Sequence, residues 1–366
     1  MGQKNSVYRG CLLGLAVGDA MGYTVDGSSW TQIQEDYGPN GLLGYDLVNG
    51  YAEISSHTQI AAYACNGLLL GLTRGQMQGT MAPFVRYVGL GLREWAQSQR
   101  YRGGPARIFC WVTRAKELRS RRCMDTMMLD TLSRERVGSL EDPINRFVSP
   151  GGIAGAVSVG IFSDLGRISP EEADRLGAEV VALTHGGATA VIAGAATARL
   201  IGSILRSPGA SLEELAQDAI EKIQAQFGHD YPQTLEVWEL LRMARALSHA
   251  ETLSQVVAME QLRCKTAAEV LAGALYACLV SRGDFDTAMI TAVNHSGCSA
   301  AVGALAGAML GARSGEDALP EFYLECLEPA PILGELADDL AQGCPMDFGS
   351  ALFDDDWDRK YVHGGA

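Results

Sequence analysis

The chain has 366 residues, with 29 Lys plus Arg against 43 Asp plus Glu, a formal net charge of −14. That excess repels a phosphate backbone and excludes nucleic acid as an unaided partner. Hydrophobic residues make up 47% and charged residues 20%, a globular composition that excludes a disordered or fibrous chain.

The N-terminal stretch MGQKNSVYRG lacks an apolar core and a cleavage site, so nothing marks it for secretion. Apolar residues then recur at helical spacing almost everywhere, as in 211–227 and 234–247, and alternating strand patterns are nearly absent. About a dozen helices in one compact all-α domain spanning 1–366 are expected. Gly10, Gly14, Gly18 and Gly22 fall on one face of the first helix, and Gly303, Gly307 and Gly311 on one face of a late one. Glycine inside a helix costs up to about 1 kcal/mol relative to alanine, so both faces call for close backbone approach, and both helices are placed centrally.

Between 100 and 136 the chain is basic, from Arg100 and Arg102 through Arg122 to Arg136. This is either a solvated helix face with Glu117, Asp125 and Asp130 as partners, or a rim that attracts pyrophosphate or an acidic protein. Capping signals follow at Ser169, Ser211 and Asp284. No apolar run reaches the 18 or so residues of a membrane span, since 188–202 carries Arg199, so no membrane partner is expected. Nine scattered cysteines without a Cys-x-x-Cys pair argue against a disulfide framework and for a reducing cytoplasm. The acidic end, about 345–366 with DDDWD at 354–358, reads as a solvated tail.

Four segments, GCLLGLAVGDAMGYTVD (10–26), ISSHTQI (54–60), LTHGGATAVIAGA (183–195) and AVNHSGCSAAVGALAGAMLGARSG (292–315), resemble in order and spacing the signature segments of the ADP-ribosylglycohydrolases. That family includes the glycohydrolase that reactivates dinitrogenase reductase. The resemblance runs from about 8 to 342. It implies an all-α fold around a cleft with two magnesium ions, where ADP-ribose is cut from a protein side chain or another acceptor. Hard cations need oxygen ligands, chiefly carboxylates. The family draws them from an early Ser/Thr-Asp-Asp-Thr segment and a late Gly-Asp-Ser/Thr-Asp-Ser/Thr segment. Here the early aspartates fall on Ser56 and His57, between Ser55 and Thr58, and the late ones on Cys298 and Ala300. All four metal carboxylates are replaced, so no metal cofactor is expected.

By the same resemblance the ligand-facing set is Asp19, Asp26, Ser55, Ser56, His57, Gly151, Gly152, His185, Ser296, Gly297, Cys298 and Ser299. Asp26 stands where some members engage the ribose with glutamate, and Asp19 suits a structural role. Gly151 and Gly152 form a turn whose backbone N–H groups could take phosphate. Asp26, His57 and Cys298 are the catalytic candidates. His57 and Cys298 allow three readings: a Cys-His nucleophilic pair, a soft-metal site with His295 as third ligand, or residues left in a cleft that no longer catalyses. The expected function is therefore a pseudo-glycohydrolase that binds ADP-ribose, an ADP-ribosylated target or an ADP-ribosyltransferase, as an immunity or regulatory protein. The alternative is a hydrolase of an ADP-ribosyl or related N-glycosidic bond working through a metal-free site at His57 and Cys298.

Overall fold

The helical periodicity becomes an all-helical protein in the computed structural model, which describes residues 2–101, 104–123, 125–250, 252–347, 349 and 353–365. Arg102 of the basic run lies outside the described residues. The helices are α1 (Gln3–Val25), α2 (Trp30–Tyr37), α3 (Ser56–Gln78), α4 (Phe84–Arg100), α5 (Lys116–Arg119), α6 (Thr126–Leu132), α7 (Ala154–Ser163), α8 (Pro170–Ala182) and α9 (Ala188–Arg206). They continue with α10 (Leu212–Phe227), α11 (Thr234–Ser248), α12 (Gln255–Leu262), α13 (Ala267–Val280), α14 (Phe285–Val293), α15 (Ser299–Ser314), α16 (Glu321–Cys326), α17 (Ala330–Gln342) and α18 (Asp355–Tyr361). The expected dozen falls short because helices of one or two turns, such as α5, α6 and α16, carry too few apolar positions to display a period.

The two glycine faces meet each other. α1 and α15 pack antiparallel, with Gly10, Gly14 and Gly18 opposite Gly311, Gly307 and Gly303. A Cβ on Gly14 would fall on the Gly307 carbonyl oxygen and one on Gly18 on that of Gly303, and the reverse substitutions meet the same obstruction. Both helices are buried along nearly their whole length. This pairing brings the C-terminal end of α1 to the N-terminal end of α15.

α9 corrects the reading of 188–202: by length and composition it could cross a membrane, and 89% of its apolar window is buried inside the protein. Its one interior charge is neutralised locally, because the Arg199 guanidinium donates from Nε to Asp174 of α8 at 2.9 and 3.0 Å.

The acidic end is not a solvated tail. α18 buries Trp357, Lys360 and Tyr361. Trp357 Nε1 donates to Thr73 Oγ1 of α3 at 2.9 Å, and Tyr361 donates to Asp339 of α17 at 2.7 Å. The apolar stripe was hidden because only two aromatics, four residues apart, interrupt a run of acids that faces outward.

Candidate functional site

The first turn of α3 is fixed from α1. The Asp19 carboxylate, with no exposed surface, accepts from the backbone N–H of Ser55 and of Thr58, each at 3.0 Å, and from both their hydroxyls. It therefore satisfies the free donors at a helix N-terminus. Ser55 Oγ in turn accepts from His57 N at 3.1 Å. This geometry removes Asp19 from the ligand-facing set.

Around this turn lies a cavity of about 220 Å³. Of the expected residues, Asp26, Ser55, Ser56, His57, Gly151 and Cys298 line it. Asp19, Gly152, His185, Ser296, Gly297 and Ser299 do not. Ser296 accepts from Trp30 N at 2.8 Å and donates its own N–H to Glu260 at 2.7 Å, which stitches loops together. Gly297 is pressed against the Arg263 and Cys264 carbonyls. Ser299 is buried, its hydroxyl 3.4 Å from the His295 carbonyl. Gly152 has Thr184 and His185 where a Cβ would stand.

His185 is a buried support behind the wall. Its Nδ1 is 2.8 Å from Thr184 Oγ1, and its Nε2 is 2.9 Å from Ser149 Oγ and 3.2 Å from Asp125 Oδ2. Ser149 and Asp125 do line the cavity, as do Tyr23 and Arg122. Asp125, expected to pair with the basic run, caps α6 instead by accepting from Met128 N at 2.9 Å. Burial pushes its carboxyl up, but the His185 and Met128 hydrogen bonds outweigh it and hold it down at about 2. Its position ahead of an apolar stretch signalled a helix cap, yet nothing local told which way the second oxygen faces.

The basic run is neither a continuous rim nor one helix face. Arg121 donates to the Arg100 carbonyl, Arg114 to that of Gly364, and Arg100 pairs with Asp130. Among the described residues Arg122 alone of the run lines the cavity, pinned between Glu53 at 3.0 Å and Glu328.

Asp26 is open to solvent at its edge, but it stands in a concave wall. Desolvation raises its carboxyl, opposed by the Ala300 N–H at 3.1 Å and by His57. His57 is 8% exposed, and its Nδ1 is buried with no hydrogen-bond partner among the described residues. Cys298 is half-buried, and its Sγ lies 3.9 Å from the Lys265 carbonyl oxygen. Burial, with help from Asp26 and Glu269, pushes the thiol up to about 12. A nucleophilic cysteine needs the opposite shift, and among the described residues no hydrogen bond joins His57 to Cys298.

His295 faces inward. Its Nδ1 accepts from Gly297 N at 2.9 Å and its Nε2 lies 2.9 Å from the Ala292 carbonyl, so both nitrogens are used and it cannot be a third soft-metal ligand. Burial lowers it to about 4, opposed by the hydrogen bond to the Ala292 carbonyl and then by Glu260. Unfolded, it would take a proton near pH 6.5. Stability is therefore fully present above that pH and is lost as pH falls from 6.5 towards 4, by about 3 kcal/mol in all. Urea midpoints at pH 7 and pH 5 should diverge in the parent and much less in His295→Gln; equal slopes would contradict the assignment.

The donor set does not fit a pair of magnesium ions. Ser55, Ser56, His57, Cys298 and Ala300 supply no carboxylate at the expected positions, and Asp125 is committed to His185 and α6. Among the described residues no three His, Cys, Asp or Glu side chains are grouped to hold a metal. Octahedral oxygen coordination of two ions cannot be assembled from one free carboxylate, Asp26, with hydroxyls, an imidazole and a thiol.

The family model described as ADP-ribosylglycohydrolase matches residues 3–348. No curated protein matches the chain. A solved chain described as "ADP-ribosylglycohydrolase-related protein complex" aligns with a TM-score of 0.56 and 22% identity, covering 93% of this chain and 99% of that one, a likeness of fold. With a match over nearly the whole length and an all-helical architecture that agrees with it, the chain belongs to the ADP-ribosylglycohydrolase family.

Proposed function

We propose that this chain is a glycohydrolase-fold binder without the family's metal chemistry, its cleft taking ADP-ribose or an ADP-ribosylated protein. What carries this reading is that the positions where the resemblance places the family's four metal carboxylates hold Ser56, His57, Cys298 and Ala300, the first three of them lining the cavity. Asp26 remains as an acceptor for ribose hydroxyls and Ser56 offers a hydroxyl, with the ion-paired Arg122 in the same wall. A bound protein partner, an ADP-ribosyltransferase included, would make it an immunity or regulatory protein. Nine free cysteines suit a reducing cytoplasm, and the net charge of −14 suits neither nucleic acid nor an anionic membrane surface.

Calorimetric titration with ADP-ribose should give saturable binding that Asp26→Ala weakens at least about tenfold, and hydrolysis of ADP-ribosyl-arginine and ADP-ribosyl-serine should stay at background. Turnover that survives chelator would favour the metal-free hydrolase. That alternative needs an activated thiol, so it also requires Cys298 to react with iodoacetamide near pH 6 and to slow in His57→Ala. A thiol pushed up to about 12 should label only slowly at that pH, with or without His57.

A further inference from the structure

The loop between α2 and α3 meets the segment carrying α16 beside the cleft. Val48 and Tyr51 exchange backbone hydrogen bonds, the Val48 N–H donating to the Tyr51 carbonyl at 2.9 Å and the Tyr51 N–H to that of Val48 at 3.1 Å. Between them Asn49 and Gly50 have φ of 53° and 84°, the two left-handed positions of a tight hairpin turn. Residues paired in this way project from one face. The hairpin is anchored at its base, where the Ala52 N–H donates to the Cys326 carbonyl at 2.8 Å, and at its stem, where Tyr45 packs edge-on against Tyr323 with ring centroids 5.1 Å apart. Its apolar side chains nevertheless meet water: Leu43, Leu47, Val48 and Tyr51 are exposed, and so is Phe322, which lies against Tyr323. These are five of the twelve large apolar side chains that the described residues expose. Scattered singly they would need no explanation, but gathered on one ordered feature they mark an interaction surface.

The surrounding charge selects the partner. Residues 27–53 and 314–330 contain nine acids and no lysine or arginine. Arg9 pairs with Glu316, and Arg122 with Glu53 and Glu328. Asp46 accepts from the Tyr37 hydroxyl at 2.9 Å, and Glu321 and Glu325, exposed on either side of Phe322, have no ion-pair partner among the described residues. A second copy of this chain would set these acids against one another, and an anionic surface would be repelled. We propose that this face docks a basic protein segment, with apolar side chains of the partner against Val48, Tyr51 and Phe322 and its lysines and arginines against Asp46, Glu321 and Glu325. In such an interface the apolar centre carries most of the affinity, while the charged rim sets orientation and rate of encounter. Glu53 follows the hairpin and pairs with Arg122 in the cleft wall, so a docked partner would stand beside the cleft without occupying it.

The probe is the peptide LRKLFRKL, acetylated and amidated, titrated calorimetrically into the full chain in about 150 mM salt, where charges interact over only about 8 Å. It should bind saturably below about 100 µM, and two counterparts, one with glutamate for every base and one with serine for every apolar residue, at least about tenfold more weakly. Val48→Ser, Tyr51→Ser and Phe322→Ser combined leave the net charge unchanged and should weaken binding at least about tenfold, as should Glu321→Lys with Glu325→Lys. Asp218→Lys with Glu221→Lys alters net charge equally at exposed positions of α10 and should leave binding nearly unchanged. The proposal is overturned by no saturation, by the serine variant binding as the parent does, by the α10 pair weakening binding as much as the α16 pair, or by a parent dimer that the serine variant abolishes. Every substituted side chain is exposed, so the melting temperature should be kept. ADP-ribose affinity measured on the same samples separates this result from the reading of the cleft.

Discussion

Gly18→Val is expected to destabilise the protein by at least about 3 kcal/mol and to bring the unfolding midpoint close to ordinary solution conditions. The added Cβ would fall on the Gly303 carbonyl oxygen, which belongs to a helix buried along its length. Backbone cannot rotate away as a side chain can, so the α1–α15 pair must separate and surrender contacts along several turns. The sign of the smaller change is the sharper test. On an isolated helix Gly→Ala is stabilising by about 1 kcal/mol, yet Gly18→Ala should lower the urea midpoint here. Gly209, where an added Cβ would meet nothing within 4 Å, serves as the control, and its alanine variant should be near neutral. A Gly18→Ala protein as stable as its parent would mean that the two helices do not approach through this face.

Magnesium should leave the melting temperature of the parent unchanged and raise that of a variant carrying Ser56→Asp, His57→Asp, Cys298→Asp and Ala300→Asp. Without metal the variant should be the less stable of the two, because three of the four new carboxylates join Asp26 and Asp125 at one cavity and repel one another. Binding only to the folded state then adds stability by mass action, about 2.7 kcal/mol at a hundred times the dissociation constant. Metal binding should be recovered before any hydrolysis, since cleavage also needs the ribose placed correctly against the ions. A saturable rise in the parent at micromolar Mg²⁺ would show that this chain has other oxygen ligands and would sink the binder reading.

The sequence by itself determined the helical class and the two glycine faces. These are properties of residue type and of short-range spacing, and they survive whatever the rest of the chain does. The family resemblance placed Asp26, His57 and Cys298 in one cleft, and all three line one cavity, where the α1–α15 glycine contact sets the C-terminal end of α1 beside the N-terminal end of α15. Which way each polar group faces was decided by tertiary structure. Asp19 turns to the N-terminus of α3, His185 stands behind Ser149 and Asp125, and His295 closes on its own loop. Each partner set joins segments tens of residues apart, or a backbone group whose availability depends on where a helix begins. Trp357 follows the same rule: its indole is committed to Thr73, 284 positions earlier, and only the assembled core could turn an acidic stretch into a packed helix.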